Sequence, residues 1–110
     1  MKPALAAPLL ALSLLLIPSV GAWTAGDPDK GNEIFDEQCA SCHHAYSTDR
    51  KVGPGLSGLF AKAKLESNGK PANQENVIEV IEKGGKGMPA FKGTLSEQDR
   101  ADLIAYLKTL

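Results

Sequence analysis

Two cysteines and the histidine after them are the residues of this chain best suited to chemistry. Cys39 and Cys42 are the only cysteines in the 110-residue sequence, and His43 directly follows the second. Thiols at this spacing can add to the two vinyl groups of one porphyrin, and the adjacent imidazole can then ligate the iron. The motif therefore predicts one covalently attached haem c, with Cys39 and Cys42 as attachment points and His43 as an iron ligand.

Three other uses of these residues fit the sequence less well. A disulfide between Cys39 and Cys42 would close too small a loop to add much stability. A thioredoxin-like redox pair would need a βαβ unit, and no segment alternates apolar and polar residues long enough to indicate a strand. Structural zinc usually takes ligand pairs from two separated segments, whereas the cysteines, His43 and His44 lie within six consecutive residues.

Met88 is the candidate for the second iron ligand. It lies in a glycine-rich segment, residues 84–93, and Pro89 follows it. Glycines let a backbone approach a flat cofactor closely, proline stiffens the chain beside the methionine, and a thioether sulfur is a suitable ligand for iron. A lone methionine more often packs in a core, but a haem motif upstream favours ligation. The sequence thus predicts His43 and Met88 as the two axial ligands.

Apolar periodicity predicts the helices that must position these groups. The first helix is expected from Asp29 to about Ala40, with Gly31, Ile34 and Phe35 on one face. The pattern as a whole predicts an all-α fold of three main helices plus one or two short ones. Further helical segments are expected over residues 56–63, over 74–83 between an Asn73 cap and Gly84, and over 97–109 after a Ser96 and Asp99 capping box.

The amino-terminal segment predicts export. Lys2 precedes an apolar run over residues 4–20, and small residues at the end of the run fit a cleavage site before Trp23. The alternative is an uncleaved membrane anchor, but two prolines interrupt the run, which is near the lower length limit for a span. We therefore expect a signal peptide over residues 1–22 and one domain over residues 23–110.

Charge and size narrow the class of protein further. The formal net charge is −1, from 12 basic and 13 acidic residues, which is no signature of nucleic-acid binding. A domain of this length buries only a modest core, and the whole chain has one Trp, two Tyr and three Phe. A cofactor in the centre of the domain would supply the missing apolar volume.

The order of the motifs resembles that of class I monohaem cytochromes c, from residue 27 to residue 110. The matching pieces are Gly31 and Phe35, the segments 39–43 and 53–56, and the segments 87–91 and 103–107. The resemblance implies the small cytochrome c fold, with Gly31 and Phe35 packed against Leu103 and Tyr106. It also implies that the carbonyl group of Pro54 accepts a hydrogen bond from the ligand histidine.

The same resemblance implies a soluble one-electron carrier in a respiratory or photosynthetic chain, not an enzyme, whose iron cycles between Fe(II) and Fe(III). We expect a monomer in a bacterial periplasm, or tethered to its membrane, with membrane complexes or dehydrogenases as redox partners. Lys83, Lys86 and Lys92 are equally consistent with a basic docking surface and with ordinary solubilising lysines. Two rival functions stay open: an enzyme or gas sensor with an open sixth position, and a subunit bound permanently to a dehydrogenase or oxidase.

Some parts of the chain carry no distinctive motif. The segment over residues 62–72 is one, and partners of the haem propionates cannot be assigned from it. Tyr46, Trp23 and Lys51 are candidates for that role. His44 is expected to be a solvated neighbour of the ligand, because helix geometry that directs His43 at the iron directs His44 elsewhere.

Overall fold

A computed structural model describes residues 2–4 and 25–110. It contains three α-helices, α1 (Pro28–Gln38), α2 (Gln74–Lys83) and α3 (Glu97–Leu107), and one 3₁₀ helix (Leu59–Ala61). The described residues form no strand, which confirms the all-α prediction. Apart from residues 2–4, the predicted signal peptide lies outside the described residues, as do its cleavage site and Trp23. Within the described part of the chain, no helix has the length and apolar character needed to cross a membrane.

Helix α1 begins one residue earlier than predicted and ends two residues earlier. Pro28 is its first residue, because a proline there gives up no hydrogen bond and already has helical φ. The Asp27 carboxylate caps the helix by accepting hydrogen bonds from the backbone N–H groups of Asp29 and Lys30. Cys39 is the C-cap residue, so α1 delivers the Cys-x-x-Cys-His segment directly from its end.

The short helix predicted over residues 56–63 is reduced to the three residues Leu59–Ala61. Gly58, which precedes it, has a φ of 68° and a ψ of 24°, in the left-handed region. A residue in that conformation cannot continue a right-handed helix, so the apolar periodicity across residue 58 does not produce a longer one.

The other two helices have the predicted caps. The Asn73 side chain accepts a hydrogen bond from the Asn76 N–H, and α2 ends at Gly84 with a φ of 65°. At the start of α3, the Ser96 hydroxyl accepts a hydrogen bond from the backbone N–H of Asp99. In return, the Asp99 carboxylate accepts a hydrogen bond from the backbone N–H of Ser96. The C-cap of α3 is Lys108, slightly before the predicted end.

Helices α1 and α3 cross at very short distance. A Cβ atom built on Gly31 would lie 2.0 Å from the carbonyl oxygen of Asp102 and 2.7 Å from the Cβ atom of Tyr106. The rings of Phe35 and Tyr106 pack with centroids 5.5 Å apart. The Asp102 carboxylate is buried and accepts hydrogen bonds from the Asp27 N–H (2.8 Å) and the Gln98 side-chain amide (2.9 Å). Gly31 is therefore required by the closeness of the two backbones.

One core surrounds this crossing and extends to α2. It includes Phe35 and Leu103, the two largest side chains that are fully buried. The other buried apolar residues are Leu59, Leu65, Val77, Ile81, Leu95, Ile104, Tyr106 and Leu107. Leu65 belongs to a loop that carries no helix, so loop residues complete the core as well as helical ones.

A partly buried ion pair links α2 to α3. The Nε atom of Arg100 lies 3.2 Å from Oε1 of Glu82, and these side chains are only 12% and 25% exposed. A terminal nitrogen of Arg100 also donates to the carbonyl oxygen of Leu95 at 2.7 Å. Arg100 thus joins two helices and the loop between them.

Replacement of Arg100 by methionine should lower the free energy of unfolding by about 1–3 kcal/mol, because the Glu82 carboxylate and the Leu95 carbonyl lose their donor. Urea denaturation would measure the change. Lys83→Gln is the matched control, since Lys83 forms an exposed pair with Glu79 on the same helix and should leave stability near the wild-type value. Equal effects of the two substitutions would contradict this interpretation.

Candidate cofactor site

The residues predicted to do chemistry all line one cavity of about 350 Å³. Its wall includes Cys39, Cys42, His43, Pro54 and Met88. The end of α1 and the loop after it supply the first four, and the loop between α2 and α3 supplies the methionine. The apolar part of the wall is formed by Phe35, Leu56, Leu59, Leu65, Val77, Val80, Ile81, Phe91, Leu103 and Leu107.

A hydrogen bond and a close backbone contact fix the ring of His43. Its Nδ1 atom lies 2.8 Å from the carbonyl oxygen of Pro54. A carbonyl oxygen only accepts, so Nδ1 carries the proton and the lone pair is on Nε2. The backbone of Gly53 lies against the ring, and a Cβ atom there would be 2.5 Å from Cε1. The imidazole is therefore held in the tautomer that a metal ligand needs, with Nε2 as the donor atom.

Gly53→Ala should displace this ring. The added methyl group cannot occupy the space of Cε1, so the bond from Nδ1 to Pro54 should lengthen or break. We expect the free energy of unfolding of the haem-loaded protein to fall by about 1–3 kcal/mol, with a changed ferric absorption spectrum. Gly93→Ala is the control, since a Cβ atom there meets nothing within 4 Å. An unchanged spectrum for Gly53→Ala would contradict the proposed orienting contact.

The loop before Met88 has an unusual backbone. Four consecutive residues, 84–87, have positive φ angles. Lys86, with a φ of 50°, is the only non-glycine among the described residues with this conformation. Backbone hydrogen bonds run in both directions between Gly85 and Met88, at 2.9 and 3.0 Å. The glycines are thus needed for a tight left-handed turn that presents Met88 to the cavity.

The two cysteines lie on the same wall and are not joined to each other by a disulfide. Burial raises the pKa of Cys39 to about 11, and the neighbouring Cys42 adds to the increase. The Cys39 side chain is therefore a neutral thiol near pH 7. A neutral sulfur in an apolar wall is compatible with a thioether bond, which leaves the sulfur uncharged.

The donor set fits a haem. An imidazole nitrogen, a thioether sulfur and two thiols meet at one apolar cavity, and backbone without side chains lies beside both ligand residues. Nitrogen and thioether donors suit a haem iron, while thiols at this spacing suit the porphyrin edge. Residues 25–110 contain no cluster of three or more His, Cys, Asp or Glu side chains arranged to bind a metal ion.

Two of the residues considered for the haem propionates lie elsewhere. The Tyr46 side chain is 77% exposed, and its hydroxyl accepts a hydrogen bond from Tyr106 at 3.1 Å. Lys51 donates to the carbonyl oxygen of Ala40 at 3.0 Å. Neither lines the cavity, and His44 is exposed outside it.

The charged residues of the wall are ones that sequence reasoning did not select. They are Arg50, Lys62, Glu66 and Lys86. Of these four, only Lys86 belongs to the docking surface that the sequence suggests. The others lie in segments without a recognisable motif, and they meet only because three loops converge at the mouth of the cavity. No local pattern in the sequence signals that convergence.

Comparison with known proteins identifies the family. A profile described as cytochrome c oxidase, cbb3-type, subunit III matches residues 26–107. The chain is 35% identical to the cytochrome c of Tetrahymena pyriformis, over 77% of this chain and 90% of that protein. The chain belongs to the class I cytochrome c family. This cytochrome is also 37% identical to the cytochrome c of Chlamydomonas reinhardtii, over 76% of this chain and 89% of that protein.

A solved structure supports the same assignment for this cytochrome. Cytochrome c6 from the diatom Phaeodactylum tricornutum superposes with a TM-score of 0.60 at 28% identity, over 76% of this chain and 93% of that chain. The small cytochrome c fold expected from the sequence is therefore confirmed. As a member of this family the cytochrome carries one covalently attached haem c and functions as an electron carrier.

Proposed function

We propose that Cys39 and Cys42 attach the haem, that His43 and Met88 ligate its iron, and that the resulting protein is a one-electron carrier without substrate turnover of its own. The observation that carries the proposal is the convergence of all four side chains on one cavity wall, with Nε2 of His43 left as a donor by the bond to Pro54. The bound haem supplies reversible one-electron chemistry at its iron.

The chain's own residues determine what that iron can do. His43 and Met88 would both hold the iron, so no position would stay open for a substrate. The apolar wall would keep water from the bound group, and a thioether together with an imidazole as ligands favours the reduced state. Outer-sphere electron transfer is the function that this arrangement supports best. It argues against the open-site enzyme or gas sensor.

One spectroscopic experiment tests the proposal. The pyridine haemochrome spectrum of the matured protein reports the number of thioether bonds, and the ferric spectrum reports the axial ligands. We expect a two-thioether haem and low-spin iron with a sulfur-to-iron charge-transfer band. A high-spin ferric spectrum, with rapid binding of carbon monoxide by the reduced protein, would support the rival with an open sixth position.

The charges of the cavity wall suggest an acidic redox partner. Arg50, Lys62 and Lys86 line the cavity, with Glu66 as the one carboxylate of its wall. Of the three lysines proposed from the sequence, only Lys86 lines the cavity, and Lys83 is paired with Glu79. Positive charge around an exposed haem edge would steer a negatively charged partner toward it and accelerate association at low salt.

Electron transfer to the partner should therefore slow as ionic strength rises. Lys86→Gln should lower the rate at low salt and weaken its salt dependence, whereas Lys83→Gln should have little effect because Lys83 does not line the cavity. Stopped-flow oxidation of the reduced protein by its native acceptor would measure both. Identical salt dependences in the wild type and in Lys86→Gln would remove Lys86 from the docking surface.

We further propose export to a bacterial periplasm, cleavage before Trp23, and function as a monomer in a respiratory or photosynthetic chain. The basic start, apolar run and small residues at positions 20–22 support export. Amino-terminal sequencing of the protein from fractionated native cells tests both location and cleavage. A blocked or uncleaved terminus in the membrane fraction would indicate a tethered form.

A permanent subunit of a larger complex is the second candidate function. The description of the matching profile, which names an oxidase subunit, favours it. The relatives favour a separate carrier, because this chain covers about nine-tenths of the length of two proteins named cytochrome c. Size-exclusion chromatography of a detergent-solubilised native extract would separate the two, since a free carrier elutes at its own mass.

A further inference from the structure

The loop between the 3₁₀ helix and α2 carries an asparagine followed by a glycine at its tip. The asparagines of the chain are Asn32, Asn68, Asn73 and Asn76, and a glycine follows only the second of them. Asn68 and Gly69 are both exposed, and a Cβ atom built on Gly69 meets nothing within 4 Å. The backbone nitrogen of Gly69 therefore lacks the side chain that shields such a nitrogen in other residues.

A hydrogen bond holds the Asn68 side chain against the backbone that follows it. Its Oδ1 atom accepts from the backbone N–H of Lys70 at 2.9 Å. The same bond polarises the side-chain carbonyl group and would stabilise negative charge that develops on Oδ1 during attack at Cγ. The nucleophile that can reach Cγ within the chain is the Gly69 nitrogen, because bonding between these two atoms closes an unstrained five-membered ring.

We propose that Asn68 is a site of spontaneous deamidation in the haem-loaded protein. The Gly69 nitrogen loses its proton to hydroxide and attacks Cγ of Asn68, and the bond from Cγ to the side-chain nitrogen then breaks with release of ammonia. Water opens the resulting cyclic imide at either of its carbonyl groups. One product is aspartate, and the other is isoaspartate, in which the backbone runs through Cγ. The net reaction consumes one water and releases one ammonia.

One contact of the folded loop slows this reaction. The Gly69 N–H donates to the carbonyl oxygen of Leu65 at 3.0 Å, and this bond must break before the nitrogen can attack. Leu65 is buried in the core, so its carbonyl group does not move freely with the exposed tip. We therefore expect Asn68 to react more slowly in the native protein than in the unfolded chain.

Deamidation would change the charge beside the haem cavity. The new carboxylate would follow Glu66 and Ser67, which both line the cavity, and Glu66 is the one carboxylate of the wall. A second negative charge there would oppose the attraction of an acidic partner. This consequence, unlike the reaction itself, rests on the proposed function, and it predicts that association with the partner slows as the protein ages.

Asn73 is the matched control within the same chain. It is also exposed, and its side chain also accepts a backbone hydrogen bond at 2.9 Å, from Asn76, but a glutamine follows it. Haem-loaded protein would be incubated in oxygen-labelled water at mildly alkaline pH, digested and analysed by mass spectrometry. We expect labelled aspartate and isoaspartate at Asn68, formed at least about tenfold faster than at Asn73, which corresponds to ~1.4 kcal/mol in activation free energy.

Two comparisons can overturn the assignment. Asn68→Gln should lack the labelled, more acidic product, because the longer side chain closes a less favourable ring. Persistence of that product in Asn68→Gln, or equal conversion at Asn68 and Asn73 in the native wild type, would refute the site. Conversion at Asn68 should accelerate in urea, and equal rates in the native and unfolded chains would refute the protective role of Leu65.

The charge effect is tested separately with Asn68→Asp. Asn73→Asp is its control, since aspartate caps a helix as well as asparagine does and adds the same charge beside residues that do not line the cavity. At low salt, stopped-flow electron transfer to the native acceptor should be slower for Asn68→Asp. Equal rates would refute the effect on docking. A wild-type spectrum without two thioethers and low-spin iron would refute the proposed function, whereas conversion at Asn68 would still establish the modification.

Discussion

Met88→Ala should leave the haem covalently attached but open its sixth coordination position. The tethers and His43 are unaffected, so the haemochrome spectrum should not change. Ferric iron should become high-spin or bind water, and the midpoint potential should fall because the thioether is lost. Cyanide affinity should rise by about two orders of magnitude, which corresponds to ~3 kcal/mol for displacement of the sulfur. Ferric absorption spectra and a cyanide titration measure these changes.

Lys92→Ala is the control for that substitution. Lys92 is exposed in the same loop, and its contact with α2 is a backbone hydrogen bond that the substitution keeps. We expect its spectrum and cyanide affinity to equal those of the wild type. If Met88→Ala also remained low-spin and bound cyanide no more tightly, Met88 would be only a packing residue and another ligand would have to be found.

Gly31→Ala should have the largest effect on stability. Its methyl group would lie 2.0 Å from a backbone oxygen of α3, and neither backbone can yield without separating the two helices. We expect the free energy of unfolding to fall by about 3 kcal/mol or more, a large part of the ~5–15 kcal/mol typical of a domain. Thermal and urea denaturation of the haem-loaded protein would measure the loss.

Gly93→Ala provides the comparison. It adds the same methyl group in open space and without a positive φ angle, so it should be neutral or slightly stabilising through the unfolded state. A stable Gly31→Ala variant, within about 0.5 kcal/mol of Gly93→Ala, would show that the α1 and α3 backbones can separate at little cost.

The parts of this fold that could be predicted are those with local causes. The cap of α2 by Asn73 and the box formed by Ser96 and Asp99 depend on side chains within three residues of the groups they satisfy, and the structure has both. The Cys-x-x-Cys-His motif is equally local. The contact of His43 with Pro54 came only from the family resemblance, because eleven positions of irregular chain separate the two groups.

What could not be predicted depends on distant contacts. Leu65 is buried although no periodic pattern includes it, and Asp102 is buried because an N–H group at the start of α1 meets its carboxylate. The pairing of Arg50 with Glu66 joins two loops whose own sequences indicate neither. At Gly58 the local pattern itself was misleading. Apolar spacing predicts a helix across this position, but the left-handed conformation of Gly58 interrupts it.

The crossing of the first and last helices also makes closure of the domain depend on its two ends. The hydrogen bond from Asp27 to Asp102 joins positions 75 residues apart, near the two ends of the domain. Contacts between positions so distant in sequence close a large loop and form slowly. The segment that carries the cysteines and His43 is therefore covered by α3 only when the two ends of the domain meet.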